Sequence, residues 1–267
     1  MEIFACNAPS FALENGSMNH ITSIGFDLFN TLITVEPDTL EQALDYLIWS
    51  LHQSGFDVEA EPFRLSYRNV AKSYIEDARK SGKETHNRFW LSTALARHGY
   101  EIEPEDGRIA HAVEDYFSVF RERCYLIPGT QEMLSTLKGD YCLGLLSNFT
   151  HAPAAMAILN RIGLVPYFDV LLISGDLGYR KPHPLPFDKL AKALKSDKTT
   201  MLYIGDDPEA DVRGALNAGI QPVWTTYVRD HGLTFPSMLV SADTEVPDSS
   251  VPSISTWQNF LELLGRD

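Results

Sequence analysis

Reactive side chains follow apolar runs at several points of this chain. One short apolar run ends at Asp27, and Thr31 comes four residues later. Two further runs end in Ser147 and just before Asp206, and Lys181 lies in a turn that contains two prolines. The runs have the length and composition of buried strands. Because ligands bind at the carboxyl ends of parallel strands, we expect these side chains to meet at one edge of a sheet.

Together, these residue types can break a phosphate ester. A carboxylate such as Asp27 can attack phosphorus and form an acyl-phosphate intermediate. Lys181 supplies a positive point charge for the nucleophile and the phosphoryl oxygens. The Ser147 hydroxyl and the backbone N–H groups after Asp27 can donate hydrogen bonds to those oxygens. Asp27 and Asp206 offer the oxygen ligands that Mg²⁺ prefers.

Each segment also has a purely structural explanation. Asn148 could cap the helix that follows Ser147, and Lys181 could be an ordinary solvated lysine. Asp206 and Asp207 could complement the dipole of a helix over 208–218. The occurrence of all the segments in one chain, three of them at strand ends, favours the chemical interpretation.

The order and local context of these motifs resemble the haloacid dehalogenase (HAD) superfamily, most of whose members are phosphohydrolases. The resemblance runs from about residue 21 onward. It implies that Asp27, Lys181 and Ser147 are catalytic. It also implies one Mg²⁺ bound by Asp27, the main-chain carbonyl of Phe29 and Asp206.

The resemblance assigns supporting roles to four more residues. Thr31 and Asn148 are expected to bind substrate. Asp211, with Asp207, is expected to orient a metal-bound water or the catalytic lysine. The implied substrate is a small soluble phosphorylated molecule.

Phe29 departs from the pattern of the HAD phosphatases. Those enzymes usually carry an acid two residues after the nucleophile, whereas the 2-haloacid dehalogenases usually carry an aromatic residue there. The dehalogenases lack the metal-binding acid at the position of Asp206. Without a cation, Asp206, Asp207 and Asp211 would repel one another beside Asp27. We therefore expect a Mg²⁺-dependent phosphatase, with a dehalogenase or a HAD-fold binding protein of little turnover as alternatives.

The chain between the first two predicted strands is helical throughout. Asp38 and Glu41 have the spacing of a capping box ahead of the first helix, which Gly55 ends. Further helices are predicted over 61–80, 86–98 and 105–122. In the C1 class of HAD proteins a helical cap occupies this place. The predicted organisation is a tail over 1–20, a core over 21–36 and 124–267, and a cap over 37–123 that closes over the substrate.

From Pro128 onward, helical and strand patterns alternate. Such alternation is typical of a doubly wound, Rossmann-like parallel sheet, so the predicted fold is α/β with an inserted all-helical cap. Leu239 and Val240 are predicted to form an edge strand, followed by a closing helix over 257–264. The predicted core elements are helices over 130–137, 152–162, 185–195 and 208–218, and strands over 141–147, 169–173, 200–205 and 222–225.

Composition narrows the range of partners. The 267-residue chain has 22 Lys and Arg against 36 Asp and Glu, a net charge of −14, which disfavours a nucleic-acid partner. No apolar run approaches the length of a membrane span, and the three cysteines form no metal spacing or disulfide framework. Cys142 is predicted to be buried within a strand. We expect a cytoplasmic monomer or homodimer that binds no membrane.

Overall fold

A six-stranded sheet forms the centre of the molecule, with the strand order β5-β4-β1-β6-β7-β8. The computed structural model describes residues 20–233 and 246–266. All neighbouring strands in this sheet run parallel. The strands are β1 (Ser23–Phe26), β4 (Cys142–Ser147), β5 (Val170–Ile173), β6 (Met201–Gly205), β7 (Gln221–Thr225) and β8 (Ser253–Ile254).

Helices cover both faces of this sheet, which confirms the predicted doubly wound α/β fold. α5, α6 and α11 share one apolar cluster with residues of β1, β4 and β6. α8 and α9 form a second cluster on the opposite face. These helices are α5 (Thr130–Leu137), α6 (Ala152–Arg161), α8 (Pro184–Leu194), α9 (Gly214–Ala218) and α11 (Trp257–Leu263); two single-turn helices are α7 (Ser174–Leu177) and α10 (Tyr227–Asp230).

β1 lies where the winding of the sheet changes direction, with β4 on one side and β6 on the other. Phe26 packs edge-on against Phe168, Trp257 and Phe260 on one face of the strand. On the other face, a side chain at Gly25 would come within 2.7 Å of the Tyr203 ring. Tight packing on both faces leaves β1 little freedom to shift, so the residue after it has a well-defined position.

The predicted helical insert is present as four helices that follow one another along the chain. They share the apolar cluster of the α5, α6 and α11 face, so the insert and this side of the core are joined by apolar packing. That this insert is a cap domain of its own stays a prediction. The helices are α1 (Thr39–Gln53), α2 (Ala60–Ser81), α3 (Asn87–Ala96) and α4 (Gly107–Arg123).

A two-stranded antiparallel ribbon joins the insert to the core. It consists of β2 (Ile33–Val35) and β3 (Cys124–Leu126), so it brings together the two chain segments that enter and leave the insert. The sequence analysis did not find this ribbon, because three-residue strands are too short to show a period. None of the helices in residues 20–233 and 246–266 has both the length and the apolar character needed to cross a membrane.

Several local predictions were wrong. Asp38 precedes α1 but makes no side-chain capping bond; its carboxylate instead accepts hydrogen bonds from Gln42 and Arg123. Cys142 begins β4 and is exposed. The helix predicted over 208–218 is confirmed, although its first part, Pro208–Arg213, is π-helical and only α9 is a regular α-helix. The predicted strand at 239–240 lies outside the described residues, and β8 was not predicted.

Several contacts tie the helical insert to the core, and the first lies at the loop that carries Lys181. The main chains of Gly82 and Glu84 exchange hydrogen bonds with Arg180 and Gly178, at 2.9 and 3.0 Å. The Glu84 carboxylate, almost fully buried, pairs with Arg180 at 3.3 Å and accepts a hydrogen bond from Ser174 at 2.6 Å. The insert therefore holds this loop through both main-chain and side-chain groups.

The second contact is a chain of two histidines and a carboxylate. His86 Nδ1 accepts a hydrogen bond from the Arg88 N–H, which leaves Nε2 to donate to His151 Nδ1 at 2.9 Å. His151 Nε2 then donates to Glu114 at 2.8 Å. Burial, with the neighbouring His151 and Arg88, lowers the pKa of His86 to about 4. His86 is therefore neutral in the folded protein. Its ring accepts one hydrogen bond at Nδ1 and donates one from Nε2.

We expect the hydrogen-bonded series His86, His151 and Glu114 to make the folded protein less stable in acid. Because the folded pKa of His86 lies below its unfolded value of about 6.5, stability is full above that pH and falls as the pH drops towards 4. The loss is at most about 3 kcal/mol, reduced by solvent screening because His86 is only half-buried. Chemical denaturation of the wild type and His86→Asn between these pH values measures it. An equal pH slope in both proteins would contradict the prediction.

Candidate active site

A cavity of about 170 Å³ lies between the helical insert and the carboxyl edge of the sheet. Its floor includes Asp27 after β1, Ser147 at the end of β4 and Asp206 after β6. α1 to α4 all contribute lining residues to its roof. The cavity therefore opens at the switch point of the sheet, where ligands bind in folds of this class.

The Lys181 ammonium is the centre of the buried polar network on the cavity floor. It donates hydrogen bonds to Asp27 Oδ1 at 2.6 Å, to Asp211 Oδ1 at 2.6 Å and to the Tyr203 hydroxyl at 2.7 Å. An ammonium has three protons, so these contacts use all of them. Only 2% of Lys181 and 6% of Asp27 is exposed, so the pair is screened little by water.

Burial and the charges of this network shift the pKa values of its own side chains. Burial alone would lower the pKa of Lys181, but the Asp211 and Asp27 carboxylates outweigh it and raise that pKa well above its usual value. Burial raises the pKa of Asp211 to about 7 despite the opposing effect of Lys181. Burial, with the Asp211 and Asp27 carboxylates, also raises the pKa of Asp206 well above its usual range. The site thus holds more negative charge than one lysine neutralises.

Asp206 completes a group of three carboxylates with Asp27 and Asp211. One oxygen each of Asp27, Asp206 and Asp211 lies within 4.8 Å of the others, close enough to bind a single ion. The Trp224 indole N–H donates to the Asp206 main-chain oxygen at 2.9 Å and holds the loop after β6 in place. A Cβ on Gly205 would lie 2.2 Å from the Asp211 carboxylate carbon, so only glycine leaves room for that side chain.

The remaining predicted residues lie close to Asp27 and Lys181. Thr31 is fully buried behind Asp27, and its hydroxyl donates to Asp27 Oδ2 at 3.4 Å. The side chain of Asn148 binds the main chain of Lys181 through two hydrogen bonds, at 2.8 and 2.9 Å. Ser147 is buried and lines the cavity. The Asp207 carboxylate caps the π-helical turn by accepting from two backbone N–H groups.

Phe29 lies on the cavity wall beside Asp27. Its ring stacks on Phe149 with a centroid distance of 5.2 Å and an interplanar angle of 4°. Phe149 in turn contacts Phe117 of α4 at 5.1 Å. The place where the HAD phosphatases carry an acid is thus part of an aromatic wall that reaches from the core to the insert.

Sequence reasoning missed the contributions of Tyr203 and Trp224. Tyr203 lies in the interior of β6, where an aromatic residue is typical of the core. Its hydroxyl also donates to the Leu146 main-chain oxygen at 2.8 Å, so it links Lys181 to β4. A polar atom on an otherwise apolar strand was the available signal, because buried hydroxyls need partners.

The fold and this group of side chains define a hydrolase of the HAD type, and sequence comparison agrees. The model of the haloacid dehalogenase-like hydrolases matches residues 21–219. The chain belongs to this family.

Three known proteins show the range of similar molecules. A pyrimidine 5'-nucleotidase, YjjG, from Escherichia coli is 29% identical over 75% of this chain and 84% of its own. A phosphoglycolate phosphatase from Neisseria gonorrhoeae is 28% identical over 95% and 99% of the two chains. The crystal structure of a 2-haloacid dehalogenase from Pseudomonas syringae matches with a TM-score of 0.63 and 25% identity, over 92% and 98%.

We expect Tyr203→Phe to destabilise the protein. The change leaves one Lys181 proton and the Leu146 carbonyl without their buried partner, which costs about 1–3 kcal/mol. Urea denaturation measures the change in the free energy of unfolding. Tyr46→Phe on the exposed surface of α1 is the matched control. Equal stability of the two variants would show that the Tyr203 hydroxyl does not support Lys181.

Proposed function

We propose that this protein is a Mg²⁺-dependent phosphomonoester phosphatase that forms an aspartyl-phosphate on Asp27. One observation carries the proposal: Asp27, Asp206 and Asp211 converge at the switch point of the sheet, where Lys181 pairs with Asp27 and Asp211. The phosphatase and nucleotidase among the relatives support the substrate class.

The positions of Asp27 and Lys181 suit nucleophilic attack. Lys181 donates a hydrogen bond to Asp27 Oδ1 at 2.6 Å and so orients the carboxylate that attacks phosphorus. In the first step an Asp27 oxygen forms a bond to phosphorus, and the bond from phosphorus to the ester oxygen breaks. In the second step water attacks phosphorus and releases inorganic phosphate, which regenerates the carboxylate. Ser147 on the cavity floor can donate a hydrogen bond to a phosphoryl oxygen.

The donor set fits Mg²⁺. The group offers carboxylate oxygens only, with no histidine or cysteine, and hard divalent cations prefer oxygen ligands. We assign Asp27, Asp206 and the main-chain carbonyl of Phe29 as ligands. Bound there, Mg²⁺ would reduce the repulsion between Asp27 and a phosphate dianion. Asp211 then serves mainly Lys181, and Thr31 orients Asp27.

The helical insert is proposed to act as a cap. Its helices line the roof of the cavity, and it contacts the Lys181 loop and His151 of the core. A roof over Asp27 would limit the access of water to the acyl-phosphate until the leaving group has departed.

A haloacid dehalogenase is the second candidate function, because an aromatic residue occupies position 29 and the dehalogenase structure matches over most of the chain. In that reaction Asp27 would attack carbon and displace halide, a step that needs no metal. The two functions are therefore separated by the product released and by the effect of chelation.

We expect release of phosphate from phosphomonoesters in the presence of Mg²⁺, loss of that activity with EDTA, and no halide from a 2-haloacid. Asp206→Asn removes one ligand, so it should raise the Mg²⁺ concentration needed for half-maximal rate. Asp57→Asn, at an exposed site, is the control. Asp27→Asn should be inactive with either substrate class. Halide release that survives EDTA would support the dehalogenase instead, and phosphate release that survives it would refute the metal assignment.

Phe29 should make the rate depend on the leaving group. A phenyl ring cannot donate a proton, and general acid catalysis is typically worth about 10²–10⁴-fold. The aryloxide of an aryl phosphate can leave without being protonated, whereas an alkoxide cannot do so easily. Aryl phosphates should therefore react far faster than alkyl phosphates. Measuring kcat/KM against leaving-group pKa gives the slope. Phe29→Asp should flatten it, and Phe29→Leu, which supplies no acid, should not. A flat dependence in the wild type would mean that another group supplies the proton.

A further inference from the structure

The roof of the cavity, to which α1 to α4 contribute, is mostly apolar. Its polar side chains are those of Arg79, Asn87, Trp90 and Tyr116. The amide of Asn87 already donates to one side chain and its oxygen accepts from another, and Arg79 already has an interaction of its own. The Trp90 indole N–H is sealed from solvent, so a ligand in the cavity does not reach it. Tyr116, on α4, differs from all three.

The Tyr116 hydroxyl is accessible and has no partner in the described part of the chain. It makes no hydrogen bond to a described residue, yet it is not among the partnerless polar atoms that are sealed from solvent. Only 5% of the residue is exposed, and its ring packs against Tyr67, Phe117 and Phe120 at centroid distances of 6.1, 5.0 and 5.4 Å. Because Tyr116 lines the cavity, its hydroxyl is available to a ligand bound there.

The hydroxyl adds nothing to the packing of the Tyr116 ring. A phenylalanine would make the same ring contacts, and a polar atom in an apolar wall is unfavourable unless it is hydrogen-bonded. Buried tyrosine hydroxyls usually have a partner. Burial raises the pKa of Tyr116 well above its usual value, so the hydroxyl keeps its proton and can donate it to a hydrogen bond. The matching group on a ligand is therefore an acceptor.

We propose that the Tyr116 hydroxyl donates a hydrogen bond to an oxygen of the leaving group, beyond the ester oxygen. The substrate is then the phosphate ester of an alcohol that carries a second oxygen, such as a hydroxyl or a carbonyl. Tyr116 lies in the roof, whereas Asp27 and Ser147, which meet the phosphate, lie on the floor. The leaving group is therefore the part of the substrate that extends towards Tyr116. This inference rests on the proposed phosphatase function, which places the phosphate.

Paired phosphonates test this contact without turnover, so the reactivity of the leaving group does not enter. The hydroxyl ligands are 2-hydroxyethyl-, 3-hydroxypropyl- and 4-hydroxybutylphosphonate, which place the oxygen at increasing distances from phosphorus. Each is paired with the alkylphosphonate in which a methyl group replaces the hydroxyl: propyl-, butyl- and pentylphosphonate. Affinities are measured by calorimetry on the full-length protein with Mg²⁺, for the wild type and for Tyr116→Phe.

The two proteins and the two ligands of a pair form a thermodynamic cycle that isolates the contact. At the chain length that reaches Tyr116, the preference for the hydroxyl ligand over its methyl partner should be about three- to tenfold greater in the wild type than in Tyr116→Phe, as one hydrogen bond allows. The affinity for inorganic phosphate should be the same in both proteins. Tyr46→Phe, at a half-exposed site on α1, should behave as the wild type.

Tyr116→Phe should not lower the urea midpoint of unfolding, because no described group loses a partner. A lower midpoint would show that the hydroxyl bonds within the protein and would overturn the inference. An unchanged preference at every chain length would overturn it too, since water would then be the partner of the hydroxyl. An equal loss of affinity for all ligands and for inorganic phosphate would assign the hydroxyl to the phosphoryl group instead.

A phosphate-release assay on the wild type separates the two proposals. If phosphomonoesters are hydrolysed and the cycles show no coupling, the inference is wrong and the proposed function stands. If no phosphonate binds and no ester is hydrolysed, both proposals are wrong.

Discussion

The contact between the buried Lys181 ammonium and two carboxylates is the constraint on which the site depends. A buried ammonium is unfavourable unless charged partners surround it, and Asp27 and Asp211 do so at 2.6 Å each. The neighbouring structure holds this arrangement in place. Asn148 clamps the lysine main chain, Tyr203 takes the third proton, and Gly205 leaves space for Asp211. Because one lysine stands against three carboxylates, the same network that holds Lys181 also creates a place for a cation.

The sequence predicted those parts of the fold that have a clear period. The apolar runs of β1, β4 and β6 and the long helices α1 to α4 were all expected from the pattern. The ribbon of β2 and β3 and the two-residue strand β8 were not, because their pairing depends on contacts distant in sequence. The capping box at Asp38 failed for a similar reason: Arg123, 85 residues away, competes for the carboxylate.

The site was predictable where strand ends determine position. Parallel strands bring their carboxyl ends to one edge, so Asp27, Ser147 and Asp206 were expected to meet, and they line one cavity. The supporting groups were harder to find. Tyr203 and Trp224 have the burial of core residues, and only their hydrogen bonds show that they hold Lys181 and the Asp206 loop. Asn148 was expected to bind substrate, which stays a prediction; that its amide also holds the lysine main chain was not foreseen. Such roles depend on the direction of single polar atoms, which no periodicity encodes.

The main-chain pairing of Gly82 and Glu84 with Gly178 and Arg180 also limits how this protein can be recombined with its relatives. Glu84 and Arg180 are 96 residues apart, yet they form one buried unit beside Lys181. If the segment from α1 to α4 alone were replaced by that of a relative, the loop after α2 would no longer match the loop that carries Lys181. The smallest segment set that can be transplanted intact is therefore discontinuous: the four helices together with residues 174–183 and with His151, which bonds to both His86 and Glu114.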